Sequence, residues 1–190
     1  VYGETLTEPE ILLPENHACM RLPGIDGKAK MSKSLGNCIY LSDSPEDVRK
    51  KVMSMYTDPD HIQVSDPGKI EGNTVFTYLD AFCREDHFKR YLPDYAGLDE
   101  LKEHYKRGGL GDVNVKKFLN NVLQDELEPI RAKRKELEQN IPYVYEALKK
   151  GTAAAKKKAE ITLLEVKAAM KINYFDDVDL IKAQTEKYKA

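Results

Sequence analysis

The 190-residue chain has no tryptophan, only three cysteines and no long apolar run. The cysteines form no Cys-x-x-Cys pair, so the sequence gives little support for a disulfide framework, a zinc site or an iron–sulfur site. No apolar stretch approaches the roughly 18 to 20 residues that a membrane span needs. The first 14 residues carry three glutamates where a signal peptide would have a basic start and an apolar core. We therefore expect a cytosolic protein without a membrane segment.

The sequence also lacks an excess of charge of one sign. The formal net charge of -2 argues against a protein that binds polyanions indiscriminately. The charge is nevertheless uneven, because the stretch from Glu128 to Lys171 holds eleven basic and six acidic residues. Two clusters stand out there, at 133–135 and 156–158. Each cluster is either solvated surface or a contact to nucleic-acid phosphates.

From Asp43 onward the apolar residues repeat at helical spacing. Ser44 and Pro45 predict one helix start, and Asn73 or Thr74 predicts another. Further helices are expected over 98–107, from Asp112 through a kink at Pro129, over 140–150 with Gly151 as its end, and from near Thr152 onward. The last helix is expected to pack through Ala155, Ala159, Leu163, Val166 and Met170.

The first ~40 residues have a different pattern. His17 to Arg21 resembles a buried strand that Pro23-Gly24 ends. One strand cannot form a sheet, so we expect its partners to lie in a larger α/β domain of which this segment is the trailing edge. The chain begins at Val1 without an initiator Met, which we interpret as a sign of a segment or a processed product.

A loop rich in glycine, lysine and serine follows that segment. Within it stands Lys30-Met31-Ser32-Lys33-Ser34. Two ammonium groups three residues apart, interleaved with two hydroxyls, can surround a polyphosphate. The P-loop pattern Gly-x-x-x-x-Gly-Lys-Ser/Thr is absent, so the lysines would reach phosphates from a mobile loop with Gly24, Gly27 and Gly36 as hinges.

The pentapeptide is, letter for letter, the KMSKS signature of class I aminoacyl-tRNA synthetases. The surrounding order of segments resembles the tryptophanyl-tRNA synthetase family in particular. The resemblance covers nearly the whole chain and continues through these stretches: Thr57-Asp58-Pro59, Asn73 to Phe76, Gly111-Asp112 with Lys116-Lys117, Glu128 to Arg131, and Val166-Lys167 to Asn173-Tyr174-Phe175.

The resemblance implies a mostly α fold. Residues 1–42 would be the C-terminal edge of a Rossmann-type α/β catalytic domain with its trailing strand, and residues 43–190 a helical domain that binds the tRNA anticodon. It implies that Lys30 and Lys33 are the catalytic pair and that Met31, Ser32 and Ser34 line the ATP site with them. It also implies Mg²⁺ accompanying ATP, L-tryptophan and tRNA(Trp) as partners, and a homodimer at full length. No carboxylate in the chain reads as a dedicated magnesium ligand.

The family's other signature, a His-Ile-Gly-His-like pair, is missing from the chain. We therefore expect the C-terminal part of a tryptophan–tRNA ligase, inactive alone. Two alternatives remain open: a fragment of a tyrosyl enzyme, and a non-catalytic helical RNA-binding module.

Overall fold

In the computed structural model, the described residues are 3, 5–16, 20–28 and 30–189. Over these residues the chain forms one short 3-10 helix at Lys33–Leu35 and seven α-helices. The helices are α1 Pro45–Met53, α2 Thr74–Phe82, α3 Glu85–Tyr91, α4 Leu98–Arg107, α5 Asp112–Glu138, α6 Ile141–Ala169 and α7 Val178–Lys187. The predicted mostly α fold is confirmed.

No strand occurs among the described residues, and the single β-bridge pairs Pro23 with Lys30. Of the strand predicted at 17–21, residues 17–19 lie outside the described part of the chain. Met20 and Arg21 lie in irregular backbone. A strand needs a neighbouring strand for its backbone hydrogen bonds, and the described residues contain none beside this segment.

The chain divides into two compact units. One unit comprises Leu13–Glu136, and the other comprises Val1–Leu12 with Leu137–Ala190. The first unit contains every buried residue of the described chain. Most of them lie in α1 to α5 and the loops between these helices, and Gly24, Asn37 and Cys38 precede α1. In the second unit, no residue of α6 or α7 is buried.

Side-chain caps explain where the helices of the larger unit begin. Ser44 Oγ accepts a hydrogen bond from the backbone N–H of Asp47, and Pro45 fills the first helical position. Asn73 Oδ1 accepts from the backbone N–H of Val75 at the start of α2. Both predicted helix starts are therefore confirmed. The short helix predicted over 98–107 also has those bounds in the structure.

The core of this unit is built around α5. Phe118 of α5 packs against Phe88 of α3, with ring centroids 4.8 Å apart. Helix α1 is held against α5 at both of its ends. Lys116 Nζ donates to the carbonyl of Met53 over 3.2 Å, and Gln124 Nε2 donates to the carbonyl of Pro45 over 3.0 Å. Burial lowers the pKa of Lys116. The negative end of the α1 dipole opposes this shift, because the Lys116 ammonium group lies at the C-terminus of α1.

A buried polar group joins α2, α4 and α5. The hydroxyl of Tyr105 donates to Asp112 Oδ1 over 2.7 Å and lies 3.3 Å from Asn73 Nδ2, which donates to it. The sequence predicts a helix from Asp112, and Asp112 is the first residue of α5. Its carboxylate accepts the hydrogen bond from the Tyr105 hydroxyl. The pKa of Tyr105 is raised chiefly by burial and further by the neighbouring carboxylate of Asp112. The phenol therefore remains a donor.

Helix α3 was not predicted from the sequence. Its short length, seven residues, gives too few turns for a clear apolar stripe. The fully buried ring of His87 stabilises its start, because His87 Nδ1 accepts the backbone N–H of Arg84 over 3.0 Å. Burial and the nearby Arg84 guanidinium lower the pKa of His87, while Asp86 and Asp125 oppose that shift.

The prediction that Gly151 ends a helix is wrong. Helix α6 runs without a break from Ile141 to Ala169 and passes through Gly151. A glycine inside a helix costs only about 1 kcal/mol relative to alanine, and Thr152 to Lys158 contains alanines and lysines that favour the helix. The packing predicted for the last long helix is wrong for Ala155, Ala159, Leu163 and Met170, which are all exposed, whereas Val166 is partly covered. In the described part of the chain, no helix is both long enough and apolar enough to cross a membrane.

Candidate functional site

The candidate site is the loop between the Pro23–Lys30 bridge and α1. It opens with a turn in which the N–H of Gly27 donates to the carbonyl of Gly24 over 2.9 Å. The chain then returns through Lys30 and forms the 3-10 helix at Lys33–Leu35. Gly36 ends that helix with φ of 66°, a left-handed conformation that glycine adopts without strain.

The five residues of the signature differ in exposure. Lys30, Lys33 and Ser34 are exposed, whereas Met31 and Ser32 are partly covered. The hydroxyls of Ser32 and Ser34 lie 2.9 Å apart and share a hydrogen bond. Neither lysine forms an ion pair with a residue that the structure describes. The loop therefore presents two ammonium groups and a hydroxyl pair to solvent, an arrangement suited to an anion with several oxygens.

The root of the loop is fixed to the helices of the larger unit. Tyr78 of α2 donates its hydroxyl proton to the carbonyl of Pro23 over 2.8 Å. The N–H of Tyr56, just after α1, donates to the carbonyl of Ile25 over 2.8 Å. Sequence patterns did not predict these contacts, because they join residues more than 30 positions apart.

Two of the three glycines predicted as hinges are close-packed. A Cβ at Gly24 would lie 2.1 Å from the side-chain nitrogen of Asn37, and one at Gly27 would lie 2.7 Å from the Tyr56 ring. At Gly36, the third of them, an added Cβ would meet nothing within 4 Å. Gly24 and Gly27 thus permit close approach of other groups, whereas Gly36 is required for its left-handed backbone conformation.

The site offers cations and hydroxyls and few carboxylates. Across the described ranges, no group of three His, Cys, Asp or Glu side chains is arranged to hold a metal ion. Asp26, in the opening turn, is the carboxylate nearest to the KMSKS residues in sequence. Its Oδ1 accepts from Asn37 Nδ2 over 3.1 Å and from the N–H of Lys28 over 3.4 Å. The Asp26 carboxylate is therefore engaged within the loop.

The two basic clusters are exposed in the structure, each within its own unit. Lys133, Arg134 and Lys135 extend from the last third of α5, and Lys133 pairs with Glu136 at 2.7 Å. Residues 156–158 lie in the middle of α6, where Lys156 is 3.8 Å from Glu160. These pairs lie between exposed side chains and contribute little to stability. Both clusters therefore remain accessible to a charged partner.

Comparisons with known proteins identify the family. The model of the family "tRNA synthetases class I (W and Y)" matches residues 1–128. A tryptophan–tRNA ligase from Clostridium longisporum is 55% identical over 179 residues, covering 94% of this chain and 50% of that protein. The corresponding ligase of Lactococcus lactis is 56% identical over 174 residues, covering 92% and 49%. The chain thus spans about half the length of the curated relatives it matches.

Solved structures agree. A crystal structure of tryptophanyl-tRNA synthetase from Campylobacter jejuni, complexed with ADP and tryptophan, matches 90% of this chain and 49% of its own, with a TM-score of 0.65 and 29% identity. A second structure of tryptophanyl-tRNA synthetase from that organism matches 78% of this chain with a TM-score of 0.59. The resemblance drawn from the KMSKS loop is confirmed. The chain belongs to the class I tRNA synthetases of the tryptophan and tyrosine family.

Proposed function

We propose that this chain acts within a tryptophan–tRNA ligase. That enzyme joins the carboxylate of L-tryptophan to the α-phosphate of ATP, releases pyrophosphate, and transfers the tryptophanyl group to tRNA(Trp). The relatives that share 55% or more of the aligned residues carry the name of that activity. The observation that carries the proposal is the loop that exposes Lys30, Lys33 and Ser34, with its root hydrogen-bonded to Tyr78 of α2.

The loop would stabilise the departing pyrophosphate. Negative charge accumulates on the β- and γ-phosphates as the bond to the α-phosphate breaks. Lys30 and Lys33 accelerate the step to the extent that they contact those oxygens more strongly in the transition state than with bound ATP. Ser32 and Ser34 donate hydroxyl hydrogen bonds, and Met31 lies beside the nucleotide. Magnesium, carried by the triphosphate, would neutralise part of the same charge.

The remaining parts of the proposal follow the family resemblance. Residues 1–42 would form the C-terminal edge of the α/β catalytic domain, and residues 43–190 the helical domain that binds the tRNA anticodon. The basic clusters at 133–135 and 156–158 suit phosphate contacts in that role. We also expect the full-length protein to be cytoplasmic and to form a homodimer. Analytical ultracentrifugation can measure its oligomeric state.

The test is tryptophan-dependent exchange of pyrophosphate into ATP by the full-length protein. Lys33→Ala should lower the exchange rate by about 10- to 1,000-fold, the effect of losing roughly 1.4 to 4 kcal/mol of transition-state stabilisation. Lys28→Ala is the matched control, since Lys28 is an exposed lysine of the same loop outside the signature, and it should change the rate by less than about threefold. Unaltered turnover by Lys33→Ala would contradict the role of the loop.

Two further measurements separate the alternatives. Exchange that depends on tyrosine and not on tryptophan would assign the protein to the tyrosyl enzymes. The isolated 190 residues should show no exchange although they bind tRNA, because the loop contacts only the pyrophosphate end of the reaction. Robust exchange by the isolated chain would show that the pocket for tryptophan lies within these residues.

A further inference from the structure

Beneath the loop lies Asn37, a buried residue that the sequence patterns did not single out. The residue is only 4% exposed, although it is polar and directly follows the exposed segment 33–36. We propose that Asn37 is a positioning residue for amino-acid activation, an inference that rests on the function proposed above. It would act by fixing the backbone that carries Lys30 and Lys33.

The hydrogen bonds of Asn37 join both branches of the loop. Oδ1 accepts from the backbone N–H of Ser32 over 2.8 Å. Nδ2 donates to Asp26 Oδ1 over 3.1 Å and to the carbonyl of Lys30 over 3.4 Å. The backbone carbonyl of Asn37 accepts from the N–H of Ile25 over 3.0 Å. One residue therefore contacts the opening turn and both sides of Met31.

These partners require a carboxamide. The oxygen of Asn37 faces an N–H donor, and its nitrogen faces two acceptors, so the amide orientation follows from the hydrogen bonds. An aspartate would keep the bond from Ser32 but would turn its second oxygen toward the carboxylate of Asp26 and the carbonyl of Lys30. Unpaired acceptors that face one another in a buried site are destabilising.

Gly24 makes room for this arrangement. A Cβ at position 24 would lie 2.1 Å from Asn37 Nδ2 and 2.5 Å from Cγ, far inside van der Waals contact. The glycine in the opening turn and the asparagine at the end of the loop therefore fit together as a pair. Any larger residue at position 24 would displace the carboxamide.

The consequence concerns the direction of the two lysines. The carbonyl of Lys30 and the N–H of Ser32 flank Met31, and the 3-10 helix containing Lys33 begins at the next residue. Holding these two backbone groups fixes where both lysine side chains start. A shift of about 1 Å in a reacting group can cost about 100-fold in rate. Releasing the backbone should therefore lower turnover more than it changes ATP binding.

The experiment measures pyrophosphate exchange by full-length Asn37→Asp. Its kcat should fall about 10- to 100-fold, while KM for ATP should change by less than about threefold. The double variant Asn37→Asp with Asp26→Asn restores a donor opposite the new carboxylate, and it should recover to within about fivefold of wild type. The control is Asn121→Asp, because Asn121 is a partly covered asparagine that makes no side-chain hydrogen bond to a described residue; this variant should match wild type.

A double-mutant cycle with Lys33→Ala distinguishes an action of Asn37 through the lysines from a purely structural role. If Asn37 acts through the lysines, Lys33→Ala should reduce kcat by a smaller factor in the Asn37→Asp protein than in wild type. Equal factors in both backgrounds would overturn the inference, as would wild-type turnover by Asn37→Asp. If Asn37→Asp does not fold, Asn37→Ser replaces it, with an expected loss of about tenfold and the same cycle. An inactive wild-type protein would overturn the proposed function and this inference together, whereas an active one with an unaffected variant overturns only the inference.

Discussion

The hydroxyl of Tyr78 donates to the carbonyl of Pro23 over 2.8 Å, and 55 residues separate the two in the chain. Tyr78 is 2% exposed, and burial raises the pKa of its phenol to about 12. The phenol therefore stays protonated, and remains a donor, across the physiological pH range. This bond fixes the start of the loop that carries the KMSKS signature to the middle of α2.

Removing that donor should destabilise the protein modestly. Tyr78→Phe keeps the ring in the core but leaves the Pro23 carbonyl without its partner, which should lower the free energy of unfolding by about 0.5 to 1.5 kcal/mol. Urea denaturation followed by circular dichroism measures the change. Tyr145→Phe is the control, because Tyr145 is 70% exposed, and it should have no measurable effect. Equal free energies of unfolding for Tyr78→Phe and wild type would show that this hydrogen bond makes no net contribution to stability.

A glycine close to the core gives a steric prediction. A Cβ at Gly68 would lie 2.3 Å from the ring of Tyr105, which is fully buried. Gly68→Ala should therefore lower the free energy of unfolding by about 1 to 3 kcal/mol, since the ring has no free space into which to move. Gly97→Ala provides the comparison, because a Cβ there meets nothing within 4 Å. The prediction fails if the two alanine variants have the same denaturation midpoint.

His87 predicts a pH dependence of stability. Its pKa lies below the ordinary value of 6.5 in the folded protein, chiefly because of burial. The unfolded chain therefore binds the additional proton first, and stability is lost as pH falls from above 6.5 toward the folded-state pKa. His87→Asn retains an acceptor for the Arg84 N–H but does not titrate. Between about pH 7.5 and about 5.5 the wild type should lose more unfolding free energy than this variant. Parallel losses in the two proteins would exclude the contribution of His87.

The basic clusters predict a salt-dependent affinity for tRNA. Replacing Lys156, Lys157 and Lys158 by glutamine in the full-length protein should weaken tRNA binding. It should also reduce the slope of log Kd against log salt by about one for each phosphate that the lysines no longer bind. The same substitution at Lys182, an exposed lysine of α7, serves as the control. Filter binding over a range of potassium chloride concentrations gives both quantities. An unchanged slope would show that the cluster is only solvated surface.

Local signals in the sequence predicted the helix starts well. Ser44 and Asn73 were identifiable because a cap depends on the residue and the next two or three positions only. The wrong prediction that Gly151 ends a helix relied on the same kind of local signal. The cost of this glycine inside a helix is small compared with the preference of the alanines and lysines that follow it, so the helix continues.

The sequence predicted the charged residues of the candidate site, but it did not predict the residues that hold the backbone of the loop in place. Lys30 and Lys33 belong to a signature that is read as consecutive letters. Asn37, Tyr56 and Tyr78 act through backbone groups on another segment, and a backbone carbonyl has no sequence identity that a pattern could detect. The available signal was an asparagine that follows Gly36, together with a second glycine at position 24. It acquires a meaning only once the path of the loop is known.

The confinement of buried residues to the part of the chain before Glu128 has a consequence for amide hydrogen exchange. Among the described residues the buried positions end at Leu127, while α6 and α7 contain none. Amides of α2 and the first half of α5 should exchange only when the whole unit opens, whereas those of α6 should exchange through local openings of much lower free energy. Peptides from 141–169 should therefore take up deuterium orders of magnitude earlier than peptides from 112–127, although both are helical.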